Sequence, residues 1–248
     1  MLAGVQEILL ISTSRDLEIY QNLLSNGETF GINIEYAVQD SPNGIPQAFV
    51  IGESFIKDDS VVLALGDNIF HGTGFGSLLR SIESSHKGSH ILIKQVEDSS
   101  RFGVVHMLDG VIESLEEKPQ NSRSNLAITG LYFFDNSVVE RTKNLSMSNR
   151  GEYEIIDLLA SYNKDNLLTA LELPRGTFWL DTGTSDSMLD ASIFIRTIEQ
   201  HTGLLVGSPE EVALRNKWVT VEEVRRSIIG QKSTYFDMLQ KLVHNFNH

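Results

Sequence analysis

Short, mainly apolar runs alternate with segments of helical spacing along the first hundred residues. The apolar runs predict strands at 7–12, 33–39, 61–65 and 89–96. The segments between them predict helices at 15–24, with Ser14 as a possible N-cap, at 46–55, and at 75–86. Strands that alternate with helices are typical of βαβ units. This part of the sequence therefore predicts an α/β, Rossmann-like fold with a mixed, mainly parallel sheet.

The pattern changes after residue 100. Strand-like runs at 102–108, 110–119 and 125–135 are separated by short turns, which indicates an antiparallel excursion at about 100–180. A helix at 152–163 and a strand at 177–181 complete it. A helix of about five turns follows, in which Met188, Ala191, Ile195 and Ile198 are spaced as one buried stripe.

Residues 208–248 contain only short helical patterns. We therefore expect a core domain at 1–207 and a C-terminal helical region at 208–248. Neither a repeat nor a low-complexity linker separates the two segments in the sequence.

Composition narrows the classes of function. The net charge of −13 argues against nucleic acid as a partner, because phosphate backbones require a basic surface. The chain has no Cys, which excludes disulfides and thiolate metal sites. No apolar run approaches the length of a membrane span, and the N-terminus lacks the features of a signal peptide. We expect a cytoplasmic protein with no membrane partner.

Two aspartates stand where apolar strands end. Asp67 follows the run at 61–65, and Asp181 closes the strand at 177–181. Ligands of open parallel sheets bind at the carboxyl ends of strands, and Mg²⁺ is commonly held by one or two carboxylates. The alternative is that each aspartate only caps a turn or the following helix.

The glycines at 72, 74 and 76 also follow a strand and precede a helix. A dinucleotide-binding loop needs the spacing G-x-G-x-x-G, which "GTGFG" does not have. A carboxylate at Asp67 would in addition repel a bare pyrophosphate. These glycines do not predict a dinucleotide cofactor.

The segment "LEEKP" offers a carboxylate and a cation side by side. Glu117 can accept hydrogen bonds from sugar hydroxyls, and Lys118 can bind a phosphate. Because neighbouring strand residues point to opposite faces, both can reach one ligand only if the strand bends there. The alternative is a solvated strand end. Arg150 likewise has two interpretations, a phosphate ligand or, as we favour, the partner of a neighbouring carboxylate.

Taken together, the motifs resemble the sugar-1-phosphate nucleotidyltransferases, which have the nucleotide-diphospho-sugar transferase fold. The resemblance runs from Met1 to about Leu239, and its motifs occur in the family order: "LAGVQEILLIST", "VQDSPNGIPQAF", "LGDNIF", "RFGVV", "SLEEKP", "TGLYFFD", "RGEYEI", "WLDTGT" and "GLLVGSPEEVALR". It implies transfer of a thymidylyl group from dTTP to glucose 1-phosphate, giving dTDP-glucose and pyrophosphate. It also implies Mg²⁺ as cofactor and a homo-oligomer, tetramer or dimer.

The resemblance assigns roles to individual residues. Asp67 and Asp181 match the Mg²⁺ carboxylates, and with Lys118 they make up the catalytic set. The segment that contacts the base corresponds to Gln39, Pro42 and Gly44, and the sugar-phosphate pocket to Gly103, Glu117, Lys118 and Ile128. A second, regulatory nucleotide site corresponds to Glu211 and Arg215.

The chain also departs from the family pattern. Ile45-Pro46 replaces Leu-Ala, "HGTGF" replaces "YGHDL", and Ile156 replaces Thr. The residues after "MLAG" match the family's second strand, so the glycine-rich triphosphate loop and its lysine have no counterpart here. We expect turnover near background for that reason, and the alternative of a non-catalytic nucleotide-binding or assembly protein on the same fold stays open.

Overall fold

The structure is a computed structural model that describes residues 1–83 and 87–246. Its strands are β1 (Glu7–Ser12), β2 (Asn33–Val38), β3 (Val61–Ala64), β4 (Asn68–His71), β5 (Ser89–Gln95), β6 (Gly103–Leu108), β7 (Val111–Glu117), β8 (Leu126–Phe134), β9 (Leu168–Glu172) and β10 (Phe178–Asp181). Its helices are α1 (Ser14–Leu24), α2 (Gln47–Ile51), α3 (Glu53–Ile56), α4 (Phe75–Glu83), α5 (Val138–Lys143), α6 (Ile155–Lys164), α7 (Ser185–Thr202), α8 (Pro209–Arg215), α9 (Val221–Ser227) and α10 (Thr234–Asn245). A short 3-10 helix spans Glu28–Phe30.

The chain forms two compact units. Unit 1 combines residues 1–36 with 180–248, and unit 2 is the continuous segment 37–179. Residues 208–248 thus belong to the same unit as residues 1–36 and 180–207. The expected division into 1–207 and 208–248 stays a prediction about domains.

Unit 2 is organised around β8. The six-stranded sheet has the order β7-β6-β8-β5-β9, and β3 also pairs with β8. The C-terminal half of β8 pairs with β3, and its first residues pair with β6, whereas β5 lies along the other edge. Apolar side chains from β8, α2 and α6 form the core, with Phe49 and Tyr162 packed against Phe134.

The expected mixed α/β fold is confirmed, with one correction to the pairing. β3, β5, β6 and β9 run in the same direction, as expected for a mainly parallel sheet. However, β8 is inserted antiparallel between three of them, so β5–β9 is parallel while β3–β8, β5–β8, β6–β8 and β6–β7 are antiparallel. The antiparallel excursion expected after residue 100 is confirmed by the β6–β7 and β6–β8 pairs, whereas the pairing of β8 with β3 and β5 was not predicted.

Unit 1 contains the β1–β2 pair, α1 and helices α7 to α10. Its core joins Leu214 of α8, Val224 of α9 and Leu239 of α10. Within the described residues, none of the helices combines the length and the apolar character needed to cross a membrane.

Several predicted elements have different bounds. The cap of α1 is Thr13, whose side chain accepts from the Asp16 amide, so Ser14 is the first helical residue and not the N-cap. The helix expected at 46–55 breaks at Gly52 into α2 and α3. The predicted end of α4 at His86 lies outside the described residues.

The sequence pattern did not predict some elements or their bounds. β4, α5 and β9 are too short or too polar for the periodicity to reveal, and α6 begins at Ile155 rather than at residue 152. The stripe predicted for α7 is wrong in part. Ala191 is buried, but Met188 is 57% exposed within the chain.

Gly88 permits the parallel pairing of β5 with β9. Its φ is +82°, and a Cβ there would lie 2.1 Å from the carbonyl oxygen of Leu167, the residue before β9. That carbonyl accepts the Ser89 amide at 2.7 Å, which starts the pairing. Gly110 has a similar φ of +81°, but nothing lies within 4 Å of the position that its Cβ would take.

We predict that Gly88→Ala destabilises the protein much more than Gly110→Ala. Both substitutions place a Cβ at positive φ, which costs about 1–3 kcal/mol. Only the first also displaces Leu167 from β5. Urea denaturation of the two variants measures the difference, and equal losses of stability would contradict the role given to the Leu167 contact.

Candidate active site

Asp67 lies just beyond the end of β3, at a gap in the edge of β8. The strands β3 and β6 cover β8 on either side of residues 128–130. In this gap the carbonyl of Gly130 accepts from the Leu65 amide at 2.9 Å, and its amide donates to Oδ1 of Asn68 at 3.2 Å. The exposed Asp67 carboxylate accepts from Nδ2 of Asn68 at 2.7 Å. The sheet thus presents one carboxylate at this gap, just beyond the end of β3.

Trp179 contributes to the same arrangement. Its indole Nε1 donates to Asn68 Oδ1 at 2.5 Å, and its ring packs against Phe102 with the centroids 4.9 Å apart. Neither Asn68 nor Trp179 was predicted from the sequence as a site residue. For Trp179 the sequence held one indication, its position two residues before Asp181 on the same strand. Residues two apart on a strand share a face.

Asp181 is the last residue of β10 and belongs to unit 1. Its Oδ1 accepts the Gly183 amide at 3.2 Å, so it closes a turn before α7. The N-cap of α7 is Thr184, which forms a capping box with Ser187. Asp181 therefore does not cap the helix. Asp67 lies in the other unit, and the convergence of the two carboxylates stays a prediction.

Residues 1–83 and 87–246 contain no group of three or more His, Asp or Glu side chains arranged to hold a metal ion. A magnesium site made of one or two carboxylates, waters and substrate phosphates does not require such a group. Asp67 and Asp181 each offer a carboxylate of the kind that fits such a site.

The strand does bend at "LEEKP". β7 ends at Glu117, and Lys118 has a φ of +44°, which few residues other than glycine adopt. The Lys118 amide donates to the Phe102 carbonyl at 3.1 Å, and its Nζ lies 3.6 Å from Oε1 of Glu117. The bend brings the carboxylate and the ammonium to one place, so the condition for a shared ligand is met.

Arg150 joins this pair through a second carboxylate. Its guanidinium binds Glu154 with contacts of 2.6 and 3.0 Å, and Nη2 lies 3.6 Å from Glu117 Oε1. The hydrogen bond from Arg150 lowers the pKa of Glu154, to which Ser148 also donates. The interpretation of Arg150 as a partner of a neighbouring carboxylate is confirmed.

Glu117 is a partly buried carboxylate. Removal from water raises its pKa above the ordinary 4.5, although Lys118 and Arg150 act in the opposite direction. The nearby Tyr132 is 4% exposed, and its phenol pKa is raised by burial and then by the charges of Glu117 and Asp67. Tyr132 therefore lies within electrostatic range of both carboxylates, a link that the sequence pattern did not reveal.

The other residues assigned to the sugar pocket lie beside Glu117. Gly103 of β6 is in register with Glu117 of β7. A Cβ on Gly103 would lie 2.8 Å from Cδ1 of Ile156 and 3.4 Å from Cδ1 of Ile128. The structure therefore brings Gly103, Ile128 and Glu117 together. Ile156, one of the departures from the family pattern, fills the space next to Gly103.

The loop expected to contact the base precedes α2. Gln39 Nε2 donates to Gln47 Oε1 at 2.8 Å and to the Gly44 carbonyl at 3.3 Å, while Pro42 is exposed between them. Gly44 has a φ of +100°, and a Cβ there would lie 2.1 Å from the Tyr153 carbonyl oxygen. The loop is thus held against the segment that leads into α6.

The residues assigned to a regulatory site form an ion pair on α8 in unit 1. Arg215 contacts Oε1 of Glu211 through Nη2 at 2.7 Å and through Nε at 2.8 Å. Ser208 caps this helix by accepting the Glu211 amide at 3.2 Å, and its hydroxyl lies 2.9 Å from Tyr235 of α10.

Comparisons with known proteins identify the family to which the chain belongs. The model of the nucleotidyl transferase family matches residues 1–198. The glucose-1-phosphate thymidylyltransferase of Mycobacterium tuberculosis is 46% identical over 245 residues, covering 98% of this chain and 85% of the relative. The enzyme of that name from Neisseria meningitidis is 43% identical over 247 residues, with the same shares covered.

Solved structures show the same similarity. A Bacillus anthracis crystal structure at 2.76 Å, in complex with sucrose and described as a glucose-1-phosphate thymidylyltransferase, superposes with a TM-score of 0.73 at 32% identity. The match covers 83% of this chain and 80% of that one. A UDP-glucose pyrophosphorylase with UDP-glucose gives a TM-score of 0.67 at 23% identity, covering 79% and 83%, which shows a shared fold.

We predict that Glu117→Gln changes how stability depends on pH. A carboxyl group whose pKa is raised on folding binds its proton more tightly in the folded state. The contribution of Glu117 to the free energy of unfolding therefore falls as pH rises from below 4.5 through the raised value. The glutamine variant lacks this titration, so it should gain stability relative to the wild-type protein over that interval.

Thermal melting at a series of pH values measures this difference. Glu113 lies on the same strand but is exposed, so Glu113→Gln should follow the wild-type curve and serves as the control. A Glu117→Gln curve parallel to the wild-type curve would show that burial of Glu117 has no energetic consequence.

Proposed function

Because the chain belongs to the nucleotidyl transferase family, we propose that it transfers a thymidylyl group from dTTP to glucose 1-phosphate, giving dTDP-glucose and pyrophosphate. The single observation that carries this proposal is 46% identity to a glucose-1-phosphate thymidylyltransferase over 98% of the chain. The site supports it, because Asp67 lies just beyond the end of β3 and Glu117 and Lys118 meet at the bend after β7.

The proposed roles follow from the side chains. Lys118 holds the attacking phosphate of the sugar phosphate, and Glu117 accepts hydrogen bonds from the sugar hydroxyls. Gly103 and Ile128 shape the wall of this pocket, where a side chain larger than glycine at position 103 would contact Ile156. Gln39, Pro42 and Gly44 contact the base.

Asp67 and Asp181 are proposed to hold Mg²⁺. An ion held there would supply positive charge to offset the negative charge that develops on the phosphates in the transition state. The chain itself supplies alignment, since nucleotidyl transfer depends mainly on positioning and charge neutralisation. The support for both ligands is their place at strand ends, together with family membership.

The proposals on localisation, oligomeric state and pathway are supported by family membership alone. The protein is proposed to act in the cytoplasm as a homo-oligomer, tetramer or dimer. Its product would supply dTDP-rhamnose and polysaccharide biosynthesis. Light scattering of the purified protein measures the oligomeric state.

We predict that Asp67→Asn lowers turnover by at least about 100-fold, because the amide keeps the size but not the charge of a metal ligand. The assay follows pyrophosphate release and dTDP-glucose formation with Mg²⁺, dTTP and glucose 1-phosphate. Glu113→Gln, an exposed charge change on β7, should stay within about twofold of the wild-type protein. Equal activity of both variants would remove Asp67 from the metal site.

The same assay tests the proposed reaction. No dTDP-glucose at any enzyme concentration would refute the reaction.

We further predict that Arg215→Ala removes a second class of dTTP binding. Arg215 and Glu211 present a paired cation and carboxylate on α8, as proposed for a regulatory nucleotide site. Calorimetry should resolve two classes of site in the wild-type protein and one in the variant. Lys217→Ala, two residues further along the chain and beyond α8, is the control and should keep both classes.

A further inference from the structure

The side chain of Asn68 uses both ends of its amide. Oδ1 accepts from the Gly130 amide at 3.2 Å and from Trp179 Nε1 at 2.5 Å, and Nδ2 donates to Asp67 Oδ1 at 2.7 Å. This orientation is determined by the partners. With the amide reversed, an NH₂ group would face two N–H donors, and an oxygen would face a carboxylate.

The surroundings of Asn68 leave it little freedom to move. A Cβ on Gly130 would lie 2.6–2.7 Å from the Asn68 amide atoms, so the side chain packs directly on the β8 backbone. Trp179 is 9% exposed and its ring is held by Phe102. The Asn68 amide is therefore held by β8 and β10, and it also donates to the exposed carboxylate of Asp67.

We propose that Asn68 is a positioning residue that fixes the orientation of the Asp67 carboxylate, and that the Gly130 amide and the Trp179 indole lock Asn68 for this task. The inference rests on the proposed role of Asp67 as a metal ligand. A hydrogen-bonded partner orients a ligating carboxylate, and loss of such a partner typically costs about 10–100-fold in affinity or activity.

Asn68→Asp separates this role from a structural one. The aspartate still accepts from Gly130 and Trp179, but it no longer donates to Asp67 and instead opposes it with a second negative charge. We expect kcat to fall about 10–100-fold, while the KM values for dTTP and glucose 1-phosphate change less than about threefold. An Asn68→Asp enzyme with kcat within about twofold of wild type overturns the proposal.

Trp179→Phe is the matched variant. It keeps the aromatic ring beside Phe102 and the donation from Asn68 to Asp67, but removes one donor to Oδ1. Its kcat should fall about threefold, and the double variant should lose no more than Asn68→Asp alone, because both changes act through one carboxylate. Additive losses would overturn the proposal. If Asn68→Asp does not fold, an unchanged kcat for Trp179→Phe does the same.

A measurement without turnover distinguishes failure of this inference from failure of the proposed function. The chain has two tryptophans, Trp179 and Trp218, so two indole N–H resonances report on it. Mg²⁺ titrated in the presence of dTTP should shift the Trp179 resonance and leave that of Trp218 in place. Asn68→Leu, which breaks the connection to Asp67, should abolish the shift.

The resonance shift and the turnover assay test different claims. A wild-type protein that shows the Mg²⁺-dependent shift but makes no dTDP-glucose refutes the proposed reaction and retains the positioning role. A wild-type protein that makes dTDP-glucose but shows no shift, or shows the same shift in Asn68→Leu, refutes the positioning role alone.

Discussion

The backbone of β8 must be satisfied along its whole buried length, and this constraint organises unit 2. β5 covers one edge of the strand, whereas β3 and β6 share the other and leave residues 128–130 between them. An unpaired buried amide is costly, so the chain closes this gap with the side chain of Asn68. The carboxylate of Asp67 is exposed at the same point as a consequence. The site therefore arises where regular pairing stops.

The sequence predicted the fold wherever one period dominated a segment. The apolar runs at 61–65 and 102–108 became β3 and β6, because burial of apolar residues decides such elements locally. The pairing of β8 with β3 and β5, and the existence of β4, were not predictable in this way. They depend on partners distant in the chain, which no local pattern encodes. The exposed Met188 in a helix with apolar spacing shows the same limit.

The sequence predicted which residue types belong to the candidate site, but only part of how they are arranged in space. Strand ends and the adjacent Glu117 and Lys118 were visible in the sequence, and the left-handed φ of Lys118 supplied the bend they require. The cations of this site are already balanced, since Lys118 and Arg150 both lie near Glu117. The chain has a net charge of −13, and both proposed substrates are anions. Their binding must therefore displace these ion pairs or be accompanied by a cation. Sequence alone could not reveal that balance, because it depends on the 3.6 Å contacts of the folded chain.

The discontinuity of unit 1 has a consequence for biosynthesis. Unit 2 is a continuous segment, so all the residues of its core leave the ribosome before those after residue 179. Unit 1 joins residues 1–36 to 180–248, and the 3-10 helix at Glu28–Phe30 contacts α8 and α9, which are made last. During translation the N-terminal segment therefore spends the synthesis time of a whole inserted unit without these helices. Chaperone binding during that interval would fall on the apolar residues of β1 and on Ile19 and Leu23 of α1, which remain exposed even in the finished chain.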